Sequence, residues 1–143
     1  MWVCPARATH QTGWSQEQVE DQITGDVHRW IQGPREYSRK DVAAYISVNC
    51  NRVDIAVTDL VDTSKADQTA IRFDLERGSA WPVTYVDEGD YLEFINLAEP
   101  KRLINKMKIH NTMKVRFYTW RNQANLVEFS LAGFTQAYNQ LGC

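Results

Sequence analysis

The chain has 143 residues, 43% hydrophobic, 24% charged and 11% aromatic, with a net charge of −2. That length makes one domain, able to bury roughly two-thirds of its unfolded surface. The charge argues against a general nucleic-acid binder, and no stretch approaches the roughly 20 apolar residues of a membrane-spanning helix.

Residues 1–22 are expected to form an N-terminal segment and residues 23–143 a single β-rich domain. Ala6, Arg7 and Ala8 match the small-x-small pattern before a signal-peptidase cut, although no full basic and apolar region precedes them. They are either a truncated or processed signal region, with mature sequence from near Thr9, or simply frayed N-terminal residues. Cys4 lacks the preceding apolar stretch of a lipoprotein cysteine. Ser15 and Gln18 have capping-box spacing, which predicts a short helix over 15–22.

Residues 26–31 suggest a first strand, broken at Gly33 and Pro34. Val42, Ala44, Ile46, Val48 and Cys50 fall on one face of a strand over 42–50, which points Cys50 at the core. Val53, Ile55 and Val57 predict its hairpin partner, joined through Asn51 and Arg52. Residues 59–69 are loop-like. Ile71, Phe73 and Leu75 alternate with Arg72, Asp74 and Glu76, predicting a half-buried strand. Residues 80–86 predict an edge strand because of Pro82. Asp87, Glu88, Gly89 and Asp90 form a turn before a strand at 91–95; the calcium-loop pattern is absent.

The period then changes. Pro100 opens a helix whose Leu103, Ile104 and Met107 recur at helical spacing, with Lys101, Arg102, Lys106 and Lys108 elsewhere on the wheel. Strands follow at 113–120 and 127–131, and Gly133 opens final helical turns. The predicted fold class is α+β: a mostly antiparallel sheet, sandwich or half-barrel, with one internal amphipathic helix and a short C-terminal helix.

Three cysteines leave one over if two pair. Chain ends fray unless tied down, and a disulfide from Cys143 to Cys50 would tie this one. It would also place the chain in an oxidising compartment, periplasmic or secreted. Charge is uneven. Residues 54–93 carry ten acids against three bases, and residues 99–121 seven bases against one acid. The two segments either neutralise each other or form faces that orient a partner.

No catalytic pattern stands out. His10, His28 and His110 are far apart and form no metal-ligand pair. There is no Gly-x-Ser-x-Gly and no glycine-rich loop, and no cofactor is implied. The aromatic-basic strand offers the clearest binding surface, with Arg116, Tyr118 and Trp120 on one face. Lys101, Arg102 and Lys108 of the basic helix join it as candidates. The expected partner is a protein or a cell-wall glycan, not nucleic acid.

Several motifs resemble the VasI/TagO-type accessory proteins linked to type VI secretion and related small exported envelope domains. They are a strand ending in Cys50, Arg72-Phe73-Asp74, an amphipathic helix followed by Val115-Arg116, the run from Phe129 to Phe134, and a closing Cys143. The resemblance spans residues 42–143. It implies an exported β-rich domain with a disulfide from the central strand to the C-terminus, and no catalytic residues. A non-enzymatic accessory or binding module is therefore expected. The alternatives are a small envelope hydrolase or transferase using carboxylates of 54–93, or an inhibitor or immunity-like protein.

Overall fold

The structure is a computed structural model that describes residues 13–39, 41–87, 93–120 and 122–143. The signal-like residues 1–8, Cys4, His10, Glu88, Gly89, Asp90 and Arg121 lie outside the described residues. The fold is β-rich with antiparallel pairing throughout, as the alternation of the strands demanded.

The larger sheet has seven strands. In spatial order they run β1 (Ser15–Glu20), β2 (Val27–Gln32), β4 (Val42–Asn49), β5 (Arg52–Val57), β9 (Glu93–Leu97) and β8 (Val83–Asp87); β3 (Glu36–Arg39) also pairs with β4. The smaller sheet runs β11 (Gln123–Ser130), β10 (Thr112–Thr119), β6 (Ala70–Phe73) and β7 (Ser79–Ala80). Helix α1 spans Pro100–Ile109 and α2 spans Phe134–Asn139. Val42, Ile46, Val53, Ile55 and Ile95 from the large sheet share one core with Val115, Phe117, Val127 and Phe129 from the small one. Leu103, Ile104 and Met107 of α1 and Phe134 of α2 join it, so both helices pack on the core side. Each such buried side chain contributes about 1.5–3 kcal/mol.

Five expectations need correcting. Residues 15–20 are a strand, paired with β2 from Ser15↔Gln32 to Glu20↔Val27. A helix of that length is marginal alone, and Trp14 outweighs the capping spacing. Its indole is 2% exposed, meets Phe134 edge-on at 5.0 Å and donates from Nε1 to the Ser130 carbonyl at 3.0 Å. The hairpin turn between β4 and β5 is Cys50 and Asn51, because Asn49 pairs with Arg52. Cys50 therefore sits half-buried in that turn, not on the inward face of the strand. The strand expected to run through Leu75 stops at Phe73. Asp74 takes a left-handed conformation (φ 48°), and Leu75 turns out to solvent. Residues 80–86 are two strands in different sheets, β7 and β8, with Trp81 and Pro82 carrying the chain between them. Trp81 is buried there and donates from Nε1 to the Ala98 carbonyl at 2.7 Å. The loop-like 59–69 segment contains a 3₁₀ helix, Thr63–Gln68, capped by Asp62.

Gly33 and Pro34 do break a strand, and the break has a purpose. β2 and β3 both pair with β4, β2 at Ser47 and Val48 and β3 at Val42–Ala44. The bend turns β3 toward β11. There the Ser38 hydroxyl donates to Asn125 Oδ1 at 3.0 Å and accepts from the Leu126 amide at 3.1 Å. Arg39 reaches Asn125 Oδ1 (3.1 Å), Thr119 Oγ1 (3.3 Å) and Gln123. Asn125 is fully buried, but its amide is spent on Thr119 Oγ1 (2.9 Å) and the Gln123 carbonyl (3.0 Å). A satisfied polar seam of this kind joins the sheets without leaving orphaned groups.

Cys50 and Cys143 form a disulfide with Cα atoms 5.5 Å apart. It ties the C-terminal tail to the tip of the β4–β5 hairpin. Their sequence separation of 93 residues puts the chain-entropy stabilisation at about 4–5 kcal/mol. Substituting both cysteines with serine is expected to lower the urea-unfolding free energy by up to that amount. Reductant is expected to reproduce the loss in the wild-type chain and to leave the variant unchanged. At the bend, a Cβ on Gly33 would lie 2.8 Å from Ile46 Cγ2 and 3.2 Å from the Trp14 ring. The methyl of a β-branched side chain yields little, so Gly33→Ala is expected to cost about 1–3 kcal/mol in the same measurement.

Candidate binding site

Because β2, β4, β5 and β9 turn one set of residues into the core, the alternate set forms the opposite face. Register aligns that set into rows. Gln32 stands opposite Ser47, Ser47 opposite Asp54, Asp54 opposite Asn96, and Asn96 opposite Thr84. One row is thus amides, hydroxyls and a single carboxylate across five strands. Trp30 lies two residues to one side of it. Tyr45 and Phe94 lie two residues to the other side, separated by the small Ala56 that pairs with both. The rise of a strand sets the two aromatic flanks roughly 13 Å apart.

Trp30, Gln32, Tyr45, Ser47, Asp54 and Phe94 line an open depression of about 660 Å³, with the Cys50–Asn51 turn at its rim. This volume falls within the usual range for ligand sites. The charges of the row itself are matched, while Arg29 and His28 line the Trp30 end. Arg52 Nε lies 2.8 Å from Asp54 Oδ2, and Asp54 Oδ1 accepts from Asn96 Nδ2 at 2.9 Å. Beside it, Arg35 stacks 5.1 Å from the Tyr45 ring centroid and donates to the Tyr45 hydroxyl at 3.0 Å. Such contacts hold the tyrosine in place from outside the depression.

The residues singled out from sequence lie elsewhere. Arg116 and Tyr118 project from the outer face of the small sheet, and Trp120, 61% exposed, follows in the turn. The Arg116 guanidinium donates to the Gln68 carbonyl (3.3 and 3.2 Å). A smaller depression of about 380 Å³ is lined by Arg116, Lys114, Arg72 and Leu126. On α1, Lys101 is exposed, Arg102 lies 3.4 Å from Glu99 and over the Trp81 ring at 4.7 Å, and Lys108 lies over Tyr138 at 4.8 Å. No hydrogen bond, ion pair or ring contact joins Arg116, Tyr118 and Trp120 to the α1 trio among the described residues. The large depression was missed because its six residues come from four strands. Each was visible as the outward residue of an alternating run, but nothing in the sequence says which strands are neighbours.

A second polar cluster closes the end of α1. His110 Nδ1 lies 2.9 Å from Asp74 Oδ2, and its Nε2 lies 3.4 Å from Glu76 Oε2. The ring stacks on Phe73 at 5.1 Å. Asp74 also accepts from the Asn111 and Thr112 amides and the Thr112 hydroxyl. These partners pin the helix end to β6 and β10, and they occupy the carboxylate. Among the described residues, no group of three or more His, Cys, Asp or Glu side chains is placed to hold a metal ion. No described helix is long and apolar enough to cross a membrane.

Neither a family model nor a curated protein sequence matches the chain. Among solved structures, invasion associated protein B from Bartonella henselae is similar, with a TM-score of 0.57 at 13% identity. The match covers 91% of this chain and 90% of that one. At that identity the likeness shows a shared fold. The disulfide is compatible with an extracytoplasmic location.

Burial pushes the Asp74 carboxyl upward, but donation from Asn111, His110 and Thr112 outweighs it and holds the group below its ordinary value of 3.8. A carboxyl lowered on folding contributes stability that is complete above its unfolded value and drains away as pH falls through the folded one. Asp74→Asn, which keeps a residue tolerant of φ 48°, is expected to lower stability at neutral pH. It is also expected to flatten the decline below about pH 4, read from urea midpoints across the acid range.

Proposed function

We propose that the chain is a non-enzymatic binding module of the bacterial cell envelope, working in the periplasm or after secretion. The observation that carries this reading is the aromatic-flanked depression on the outer face of the large sheet. It is open, preformed on strands and lined by polar groups whose one carboxylate is already paired with Arg52, which suits holding a partner better than activating a nucleophile or a proton. The acids of 54–93 do not converge there. Among the described residues of that segment, Asp54 alone enters the depression, while Asp62 caps the 3₁₀ helix and Asp74 pins α1. This disposition disfavours a carboxylate-driven hydrolase or transferase.

The disulfide supports the compartment, and the fold shared with invasion associated protein B of Bartonella henselae suits a bacterial setting. The resemblance to VasI/TagO-type proteins supports an accessory role in type VI secretion. A gene lying among type VI secretion genes is the expected finding, and a neighbourhood without them removes that part of the proposal. The exposed Trp120, beside Arg116 and Tyr118, favours the small-sheet face as a second contact.

The two faces are separable by co-sedimentation with isolated cell envelopes. Trp30→Ala with Ser47→Ala is expected to lower the bound fraction about tenfold, the scale of one or two lost ring contacts. Its unfolding midpoint should stay near wild type. Arg116→Ala with Trp120→Ala is expected to weaken binding less. Undiminished binding by both double variants would overturn the reading.

A further inference from the structure

We infer that the ligand of the large depression is an uncharged oligosaccharide chain, a conclusion that rests on the binding-module reading above. The face offers Gln32, Ser47, Asp54, Asn96 and Thr84 in one row. Amide side chains and hydroxyls can both donate and accept, as the hydroxyls of a sugar do. Trp30 stands on one flank and Tyr45 and Phe94 on the other. Ring faces are electron-rich and attract the polarised C–H groups of a pyranose face. A flank separation of roughly 13 Å is more than one sugar ring can bridge, so a chain is required to use both.

The charge pattern selects among ligands. Arg52 is held by Asp54 at 2.8 Å, and Asp54 is further occupied by Asn96. Arg35 is engaged with Tyr45 and Tyr37. Arg29 lines the depression beside Trp30, at its β2 end, and Glu17 pairs with Trp30 across β1. His28 adds one imidazole on the Trp30 side. The row itself therefore has no unopposed cation for a phosphate or uronate chain, and Arg29 lies to its Trp30 side. Nor does it present the apolar anchors at helical spacing that an amphipathic helix needs, since its large side chains are separated by Ser47, Asp54 and Gln32.

Isothermal titration with an N-acetylglucosamine hexamer, cellohexaose and an oligogalacturonate tests this directly. At least one neutral hexamer is expected to bind, about tenfold more weakly to Trp30→Ala and to Phe94→Ala. Affinity should change little between about 50 mM and 500 mM salt, because no net charge is neutralised. Gln32→Ala keeps the rings and the core, and a severalfold loss there reports the polar row. An absence of binding by both neutral hexamers overturns the inference, as does preferential, salt-sensitive binding of the oligogalacturonate. If Trp30→Ala with Ser47→Ala loses envelope binding while neither hexamer binds the wild type, the binding module stands and the glycan fails. If neither hexamer binds and both double variants keep envelope binding undiminished, both fail.

Discussion

Everything in this fold depends on a single core shared by two sheets. Strand residues alternate strictly, so a strand that commits Val42, Ala44, Ile46 and Val48 to the core commits Tyr45 and Ser47 to the other side. β5 and β9 obey the same constraint with Val53, Ile55, Ile95 and Leu97. Both helices pack on the core side, and among the described residues no helix shields the opposite face of the large sheet. The depression there is thus a consequence of burial elsewhere. Its residues cannot be moved to another face without slipping the register and emptying the core.

The devices that close the sandwich also shape the depression. The break at Gly33–Pro34 lets one pairing edge of β4 serve two purposes. β2 stays in the large sheet and brings Trp30 and Gln32 to the outer face, while β3 departs to meet β11 through Ser38, Arg39 and Asn125. On the opposite side, Trp81–Pro82 passes the chain from the small sheet to the large one. The disulfide acts at the rim, where it anchors the Cys50–Asn51 turn to the tail that leaves α2. A rigid rim and strand-borne side chains reduce the ordering cost of binding.

The two charged segments meet less than their composition suggested. Lys106 reaches Glu76 at 3.7 Å and His110 bridges Asp74 and Glu76, but Arg102 and Lys108 lie over aromatic rings of the same chain. The basic helix is therefore largely engaged with its own protein. Mutual neutralisation is local, centred on the β6–α1–β10 corner.

By itself, the sequence determined the class of fold, the strands with period-two apolar faces, the amphipathic α1 with Pro100 at its start, and the cysteine pair. The first three are local properties, and the pair was one of few ways to join three cysteines. It misjudged residues 15–20 because capping spacing is local, while the anchoring of Trp14 against Phe134 and Ser130 is not. It carried Cys50 inward because a run of alternation does not announce where a two-residue turn begins. Trp120 and Arg116 drew notice because they are neighbours in sequence. Trp30, Tyr45, Ser47, Asp54 and Phe94 did not, because strand order and register alone make them neighbours. Pairing across a sheet is set by which apolar faces bury together over the whole chain, and only the tertiary structure decided that.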